Sequence, residues 1–216
     1  MHDSQQFQGN DYASSIIRNS GAVLTGHFSI ESEPEMHSEF YISKQILFST
    51  RPGLSLGRQL KDFLLLPDEI EIIVAPPPFG LFVAIPLGEA MSRQVVQIDE
   101  YQGKLCLRRG AQKLIDGRKV LAVDCISISG GKLRAVSKLV ALLGGIVVEQ
   151  AVLIDRGAGH PTYAKLANRP TSLVLSKLPI VAKADCPDCV NKVGLSEEFG
   201  LASKAHGLML EDSIDN

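Results

Sequence analysis

Val120-Leu121-Ala122-Val123-Asp124-Cys125-Ile126-Ser127-Ile128-Ser129-Gly130-Gly131-Lys132 decides how the chain is read. Its first residues are aliphatic and β-branched, the composition of a strand buried on both faces of a parallel sheet. A carboxylate follows at Asp124, then small residues with paired glycines, then an amphipathic helical pattern from Lys132 to Leu143. Strand, small polar loop and helix together aim backbone N–H groups and a helix N-terminus at an anion. The reading is of a phosphorylated ligand held over this stretch, although Gly130-Gly131 taken alone fits a plain βα turn as well. It is not a Walker A loop: Ile126 stands where that motif needs its first glycine, and Leu133 where it has Ser or Thr.

Outward from this stretch, short apolar runs alternate with helical patterns. Asp11–Leu24 has helical spacing with a stop at Gly21. Gly26–Ile30 and Phe40–Lys44 alternate as strands, and the polar Glu31–Ser38 connection between them is expected to be an exposed loop. A helix is expected over Leu54–Leu66 and a strand over Glu69–Ala75. Pro76-Pro77-Pro78-Phe79-Gly80 then leads into a helix through Met91, followed by a strand at Gln94–Ile98. Lys104–Arg108 alternates basic and apolar residues and is expected to pair with its predecessor as a surface arm. Strands follow at Gly145–Asp155 and Ser172–Leu175. Such alternation implies an α/β protein, a mostly parallel central sheet with helices on both faces.

Charged residues make up 21% of the 216, the net charge is −2 and the pI about 6.2. That balance gives no electrostatic reason to expect nucleic acid or an anionic membrane as partner. Met1–Asn10 is polar, without the apolar run of a signal peptide, and four cysteines fit a reducing compartment. A cytoplasmic protein is therefore expected. His27 and His37 read as structural or exposed rather than catalytic. Cys186 and Cys189 form a single pair with no second pair or histidine partner evident in the sequence. A zinc shared across a dimer and a simple two-thiol turn both remain open, and no metal ligand is assigned.

Several segments, in order, resemble the orotate branch of the type I phosphoribosyltransferases, which use phosphoribosyl pyrophosphate (PRPP). Gly21-Ala-Val-Leu-Thr-Gly26-His27-Phe28 is similar to the family's entry into an N-terminal hood, and His37-Ser38-x-x-Tyr41-x-x-Lys44 to its next signature. Val74–Gly80 resembles the pyrophosphate loop, and Gly103-Lys104-Leu-Cys-Leu-Arg108-Arg109-Gly110 the basic arm. Ala151–Arg156 resembles the strand that ends at the base, and Cys186-Pro187-x-Cys189 a C-terminal signature.

The resemblance implies one domain over 1–216, with hood elements at about 11–45, a core at about 54–182 and a disordered tail at about 205–216. It implies transfer of the phosphoribosyl group of PRPP to orotate or a related base, with Mg2+ carried by the diphosphate, in a homodimer with shared sites. Asp124, Cys125, Ser127, Ile128, Ser129, Gly130, Gly131 and Lys132 would hold the ribose and 5′-phosphate. Lys44, Lys104, Arg108, Arg109, Pro77 and Gly80 would meet the pyrophosphate, and Arg156 the base carboxylate. Asp124, Lys104 and Arg108 would be the catalytic residues. Some positions depart from the family: Cys125 replaces one of two adjacent acids, Ile128 a threonine, Lys132 a small hydroxyl residue and Phe79 a glycine. These changes imply either weak or altered base specificity, or a non-catalytic protein that senses PRPP or a nucleotide on the same fold.

Overall fold

The computed structural model describes residues 6–30, 33–161 and 169–196. The expected disordered tail lies outside them. β1 (Phe7–Gly9) precedes α1 (Asp11–Asn19), whose N-cap Asn10 accepts a hydrogen bond from the Ala13 N–H at 2.8 Å. The helix ends at Asn19 with Ser20 as its C-cap, at the stop expected from Gly21. Gly21 takes a φ of +72°, and Val23 and Leu24 are drawn into β2 (Val23–Ile30). β3 (Glu33–Ile42) pairs with β2 antiparallel, so most of the segment expected to be an exposed loop is strand. The polar residues there did not betray a strand because its partner, β11 (Val181–Ala182), comes from far along the chain and pairs with Met36 and His37.

Lys44 opens a short helix, α2 (Lys44–Phe48), rather than closing a strand, because Ser43 caps it through the Ile46 N–H. α3 (Arg51–Leu60) begins three residues before the expected start, capped by Thr50 with Pro52 in the first turn. Beyond it come β4 (Ile72–Ala75), α4 (Phe79–Met91) and β5 (Gln94–Gln97). The arm is a hairpin of β6 (Asp99–Tyr101) and β7 (Lys104–Cys106), pairing with each other and not with β5. Its turn residues Gln102 and Gly103 both have positive φ, as a two-residue hairpin loop requires. Next follow α5 (Gln112–Ile115), β8 (Lys119–Ser127), α6 (Gly131–Leu142), β9 (Ile146–Asp155) and β10 (Thr171–Ser176).

The larger sheet has the order β1-β10-β9-β8-β4-β5 and is parallel except for the edge strand β1. Residues of β8 alternate between two cores. Leu121, Val123 and Cys125 pack with Ile17 of α1, Leu56 of α3 and Val83 of α4, whereas Val120 and Ala122 pack with Val136 and Val140 of α6. Helices therefore cover both faces, as the apolar runs required. From β4 the chain runs outward to β5, then returns to β8 and proceeds the other way to β9 and β10. The loops after β4 and β8 thus meet at the point where strand order reverses, the usual ligand crevice of an open α/β sheet. The small sheet β11-β3-β2 stands beside that crevice. Among the described residues no helix is long and apolar enough to cross a membrane.

Candidate active site

A cavity of about 340 Å³ opens at this reversal point. Its floor is the end of β8 and the loop into α6: Asp124, Ile126, Ser127, Ile128, Ser129, Gly130, Gly131, Lys132 and Leu133. The small sheet contributes Ser29, Ile30, Tyr41 and Ile42, and Lys44 and Arg156 complete the lining. Gly130 caps α6 with φ +72° and ψ 4°, a left-handed conformation that a side chain disfavours. The first N–H groups of α6 have no partner within the helix and remain available to an anion.

Asp124 is 7% exposed, and its Oδ1 accepts a hydrogen bond from the Cys125 N–H at 2.7 Å. Burial pushes its carboxyl up from the ordinary range, while the Lys132 ammonium, the Cys125 N–H and the Lys44 ammonium pull the other way. Lys132 also donates from Nζ to the Pro77 carbonyl at 3.2 Å, linking the loop after β8 to the loop after β4. Lys44 Nζ lies 5.3 Å from the centroid of the Phe79 ring, within cation–π range. Phe79 itself turns sideways onto Phe48 and Phe82 and does not line the cavity. The bulky residue at that loop position is accommodated by the core.

Arg156 is 2% exposed, and burial pushes its guanidinium down to about 10, leaving it charged at neutral pH. Nη2 donates to Ser38 Oγ at 3.1 Å, and Ser38 donates onward to the Pro179 carbonyl at 2.7 Å. Arg156 Nε is buried without a hydrogen-bond partner. A buried cation with an unsatisfied N–H beside a cavity is poised for a carboxylate, which can take two parallel N–H bonds from one guanidinium.

Other expected contacts are not brought here. Cys125 lies on the opposite face of β8, fully buried in the core, and burial followed by the Asp124 charge pushes its thiol far up. Pro77, in the loop after β4, and Gly80, in the first turn of α4, do not line the cavity, although the Pro77 carbonyl accepts from Lys132. A side chain on Gly80 would meet Pro76 Cδ at 3.0 Å, so its smallness serves close packing. Lys104, Arg108 and Arg109 are exposed on or beside the hairpin and line no part of the cavity, and Arg108 pairs with Asp99 at 2.8 Å. The sequence reading did not place Ser29, Ile30, Tyr41, Ile42, Ile126 or Leu133 in the site, nor Ser38, which supports Arg156. Ser38 and Tyr41 carried a signal, their place in the His37-Ser38-x-x-Tyr41-x-x-Lys44 motif.

No family model matches the chain. Among solved structures it is similar to an orotate phosphoribosyltransferase from Aeropyrum pernix, with a TM-score of 0.56, 23% identity, and coverage of 75% of this chain and 92% of that one. It is similar also to an adenine phosphoribosyltransferase from Thermoanaerobacter pseudethanolicus, with a TM-score of 0.55, 18% identity, and coverage of 74% and 98%. The fold is thus that of the type I phosphoribosyltransferases. In sequence, an orotate phosphoribosyltransferase of Pelotomaculum thermopropionicum is 30% identical over 176 residues, 81% of this chain and 88% of that protein. One from Erythrobacter litoralis is 30% identical over 186 residues, 85% of this chain and 93% of that protein. The chain belongs to the orotate phosphoribosyltransferase family and is a phosphoribosyltransferase, an enzyme of the glycosyltransferase type.

Proposed function

We propose that the cavity binds PRPP together with orotate or a closely related carboxylate-bearing base and joins them. The observation that carries this reading is that Asp124, the Ser127–Lys132 loop and Arg156 line one cavity. A deprotonated ring nitrogen of the base forms a bond to ribose C1, and the bond from C1 to the diphosphate oxygen breaks. Pyrophosphate leaves with the electron pair. The protein's task is to hold the two partners in line and to stabilise the departing negative charge.

In this reading the N–H groups of the loop and of α6, with Ser127 and Ser129, hold the 5′-phosphate. Asp124 accepts from the ribose hydroxyls, and Lys132 and Lys44 face the anionic groups. Arg156 orients the base through its carboxylate. Asp124 is the one carboxylate among the cavity's lining residues, which fits Mg2+ brought in on ligand oxygens and water rather than held in a protein cage. When bound, it would neutralise charge on the diphosphate. Ile126 and Ile128 make one wall apolar, and Ile128 stands where the family has a threonine. Altered or weakened base selectivity is the expected consequence, since an apolar side chain cannot satisfy a polar edge of the base. The cations of the arm, Lys104, Arg108 and Arg109, act in a neighbouring chain's cavity, and the chain works as a homodimer of single phosphoribosyltransferase-like domains. What supports this is that all three lie outside their own cavity.

The test is Mg2+-dependent pyrophosphate release from PRPP with orotate and related acidic bases. Release with at least one acidic base, lost in the Arg156→Met variant, is expected. Binding of PRPP with no release from any base would replace the catalytic reading with that of a non-catalytic sensor.

A further inference from the structure

Away from the cavity, four side chains converge: His27 on β2, His37 on β3, and Cys186 and Cys189 at α7 (Pro187–Val190). One donor atom from each lies within 4.8 Å of all the others. His27 Nε2 is 2.8 Å from His37 Nδ1, Cys186 Sγ and Cys189 Sγ are each 3.5 Å from His27 Nε2, and Cys189 Sγ is 3.2 Å from His37 Nδ1. His27, His37 and Cys186 are buried. All the cysteines are free thiols.

The His27 ring nitrogen directed away from this point has a fixed duty. His27 Nδ1 is 2.9 Å from the Val193 carbonyl oxygen. A carbonyl can only accept, so it holds the His27 ring proton on Nδ1. His27 Nε2 is then left as a lone pair facing His37 Nδ1, with two sulfurs alongside.

We propose that His27, His37, Cys186 and Cys189 form a closed zinc site within one chain, fastening the segment 183–196 to the small sheet. Two soft sulfurs and two imidazole nitrogens are the donor set of a tetrahedral structural zinc, and Cys-x2-Cys is the usual spacing of its thiolate pair. With Zn–N of about 2.0–2.1 Å and Zn–S of about 2.3 Å, ligand atoms of a tetrahedron lie roughly 3.4–3.8 Å apart. Three of the sulfur-to-nitrogen distances already approach that, all the donor atoms lie within 4.8 Å, and the two nitrogens need to move apart by about half an ångström. On binding, the two thiol protons pass to solvent. One Zn2+, two thiolates and two neutral imidazoles sum to zero charge, which suits a buried site. The carbonyl of Val193 is then an outer partner that orients the His27 ring, as metal-bound histidines require. The clip has a structural consequence. Ser196 exchanges hydrogen bonds with the backbone of His27 at 3.0 and 2.7 Å, and Ser38, the residue after His37, supports Arg156.

The site is tested on the full chain, purified under reducing conditions and equilibrated with Zn2+ alone, then freed of unbound ion. Elemental analysis should find about one zinc per chain, the stoichiometry of a closed four-ligand site. Cobalt in its place should show thiolate-to-metal charge transfer and the visible bands of a tetrahedral ion. Cys189→Ser and His37→Ala should lose stoichiometric metal, while Cys106→Ser, which changes a thiol outside the cluster, should keep it. Because the ligand variants could fail to fold, the wild-type measurements decide by themselves. Absence of zinc after equilibration would overturn the proposal, as would a cobalt spectrum without thiolate charge transfer. A Cys186–Cys189 disulfide that persists under those reducing conditions would also overturn it.

Discussion

Alternation along β8 separates Asp124 from its neighbour. Asp124 ends in the cavity, whereas Cys125 points into the core beside Leu121 and Val123. Restoring a second acid with Cys125→Asp would therefore bury an unpaired carboxylate rather than add a ribose contact. The expected result is a loss of about 3 kcal/mol or more, which for a chain of this size lowers Tm by roughly 6–12 °C, with no gain in PRPP affinity by calorimetry. Asp124 is itself held at a cost to the fold, because burial raises its carboxyl above the ordinary range. The folded chain keeps that proton to higher pH than the unfolded chain does, so stability falls as pH rises from the normal carboxylate range through the folded value. Asp124→Asn removes this penalty while its side-chain oxygen can still accept from the Cys125 N–H. Thermal denaturation should show the variant more stable than wild type at pH 7, with each kcal/mol of relief worth roughly 2–4 °C. The gain should vanish near pH 3, where Asp124 is protonated in both states, and turnover should be lost throughout.

At the scale of elements, the strand–loop–helix of β8 and α6 was legible because its two periodicities are unambiguous: an apolar run, then a 3.6-residue stripe. Gly130 is the joint between them. Gly130→Ala forces a side chain into left-handed backbone at a cost of about 1–2 kcal/mol. It should weaken PRPP binding in titration while leaving the helical circular dichroism intact. Less legible were elements defined by distant partners. β1 carries Gln8 and Gly9, poor strand residues, and exists because Val174, Leu175 and Ser176 of β10 offer an edge. β3 held its polar residues hidden until β11 arrived from beyond position 180. The same distance concealed the histidine partners of Cys186 and Cys189, since about 150 residues separate the pairs and no local spacing encodes such a meeting. The cavity floor was readable from one contiguous loop. Ser29 and Ile30 were not, because their place depends on how the small sheet stands over the larger one.

For the whole molecule, the arm sets the main expectation. Its cations are exposed and line no part of their own cavity, and Arg108 is tied to Asp99 on the same hairpin. An exposed pair of that kind is weak and can be exchanged for a ligand phosphate. If arms cross between chains, a Lys104→Ala chain and an Asp124→Asn chain, each inactive alone, should complement when mixed. Random pairing gives half of the dimers as mixed, each with one intact site, so about a quarter of wild-type activity should return. No recovery after subunit exchange would mean that the arm serves its own chain.

The central claim is that the loop read first, Val120 to Lys132, cradles the phosphoribosyl ligand. It is tested most directly by calorimetric titration of the full chain with PRPP in the presence of Mg2+. One binding event per chain is expected, weakened about 10- to 100-fold in Asp124→Asn, the range for losing a hydrogen bond to a charged group. Absence of binding, or an affinity indifferent to both Asp124→Asn and Lys132→Ala, would contradict the account.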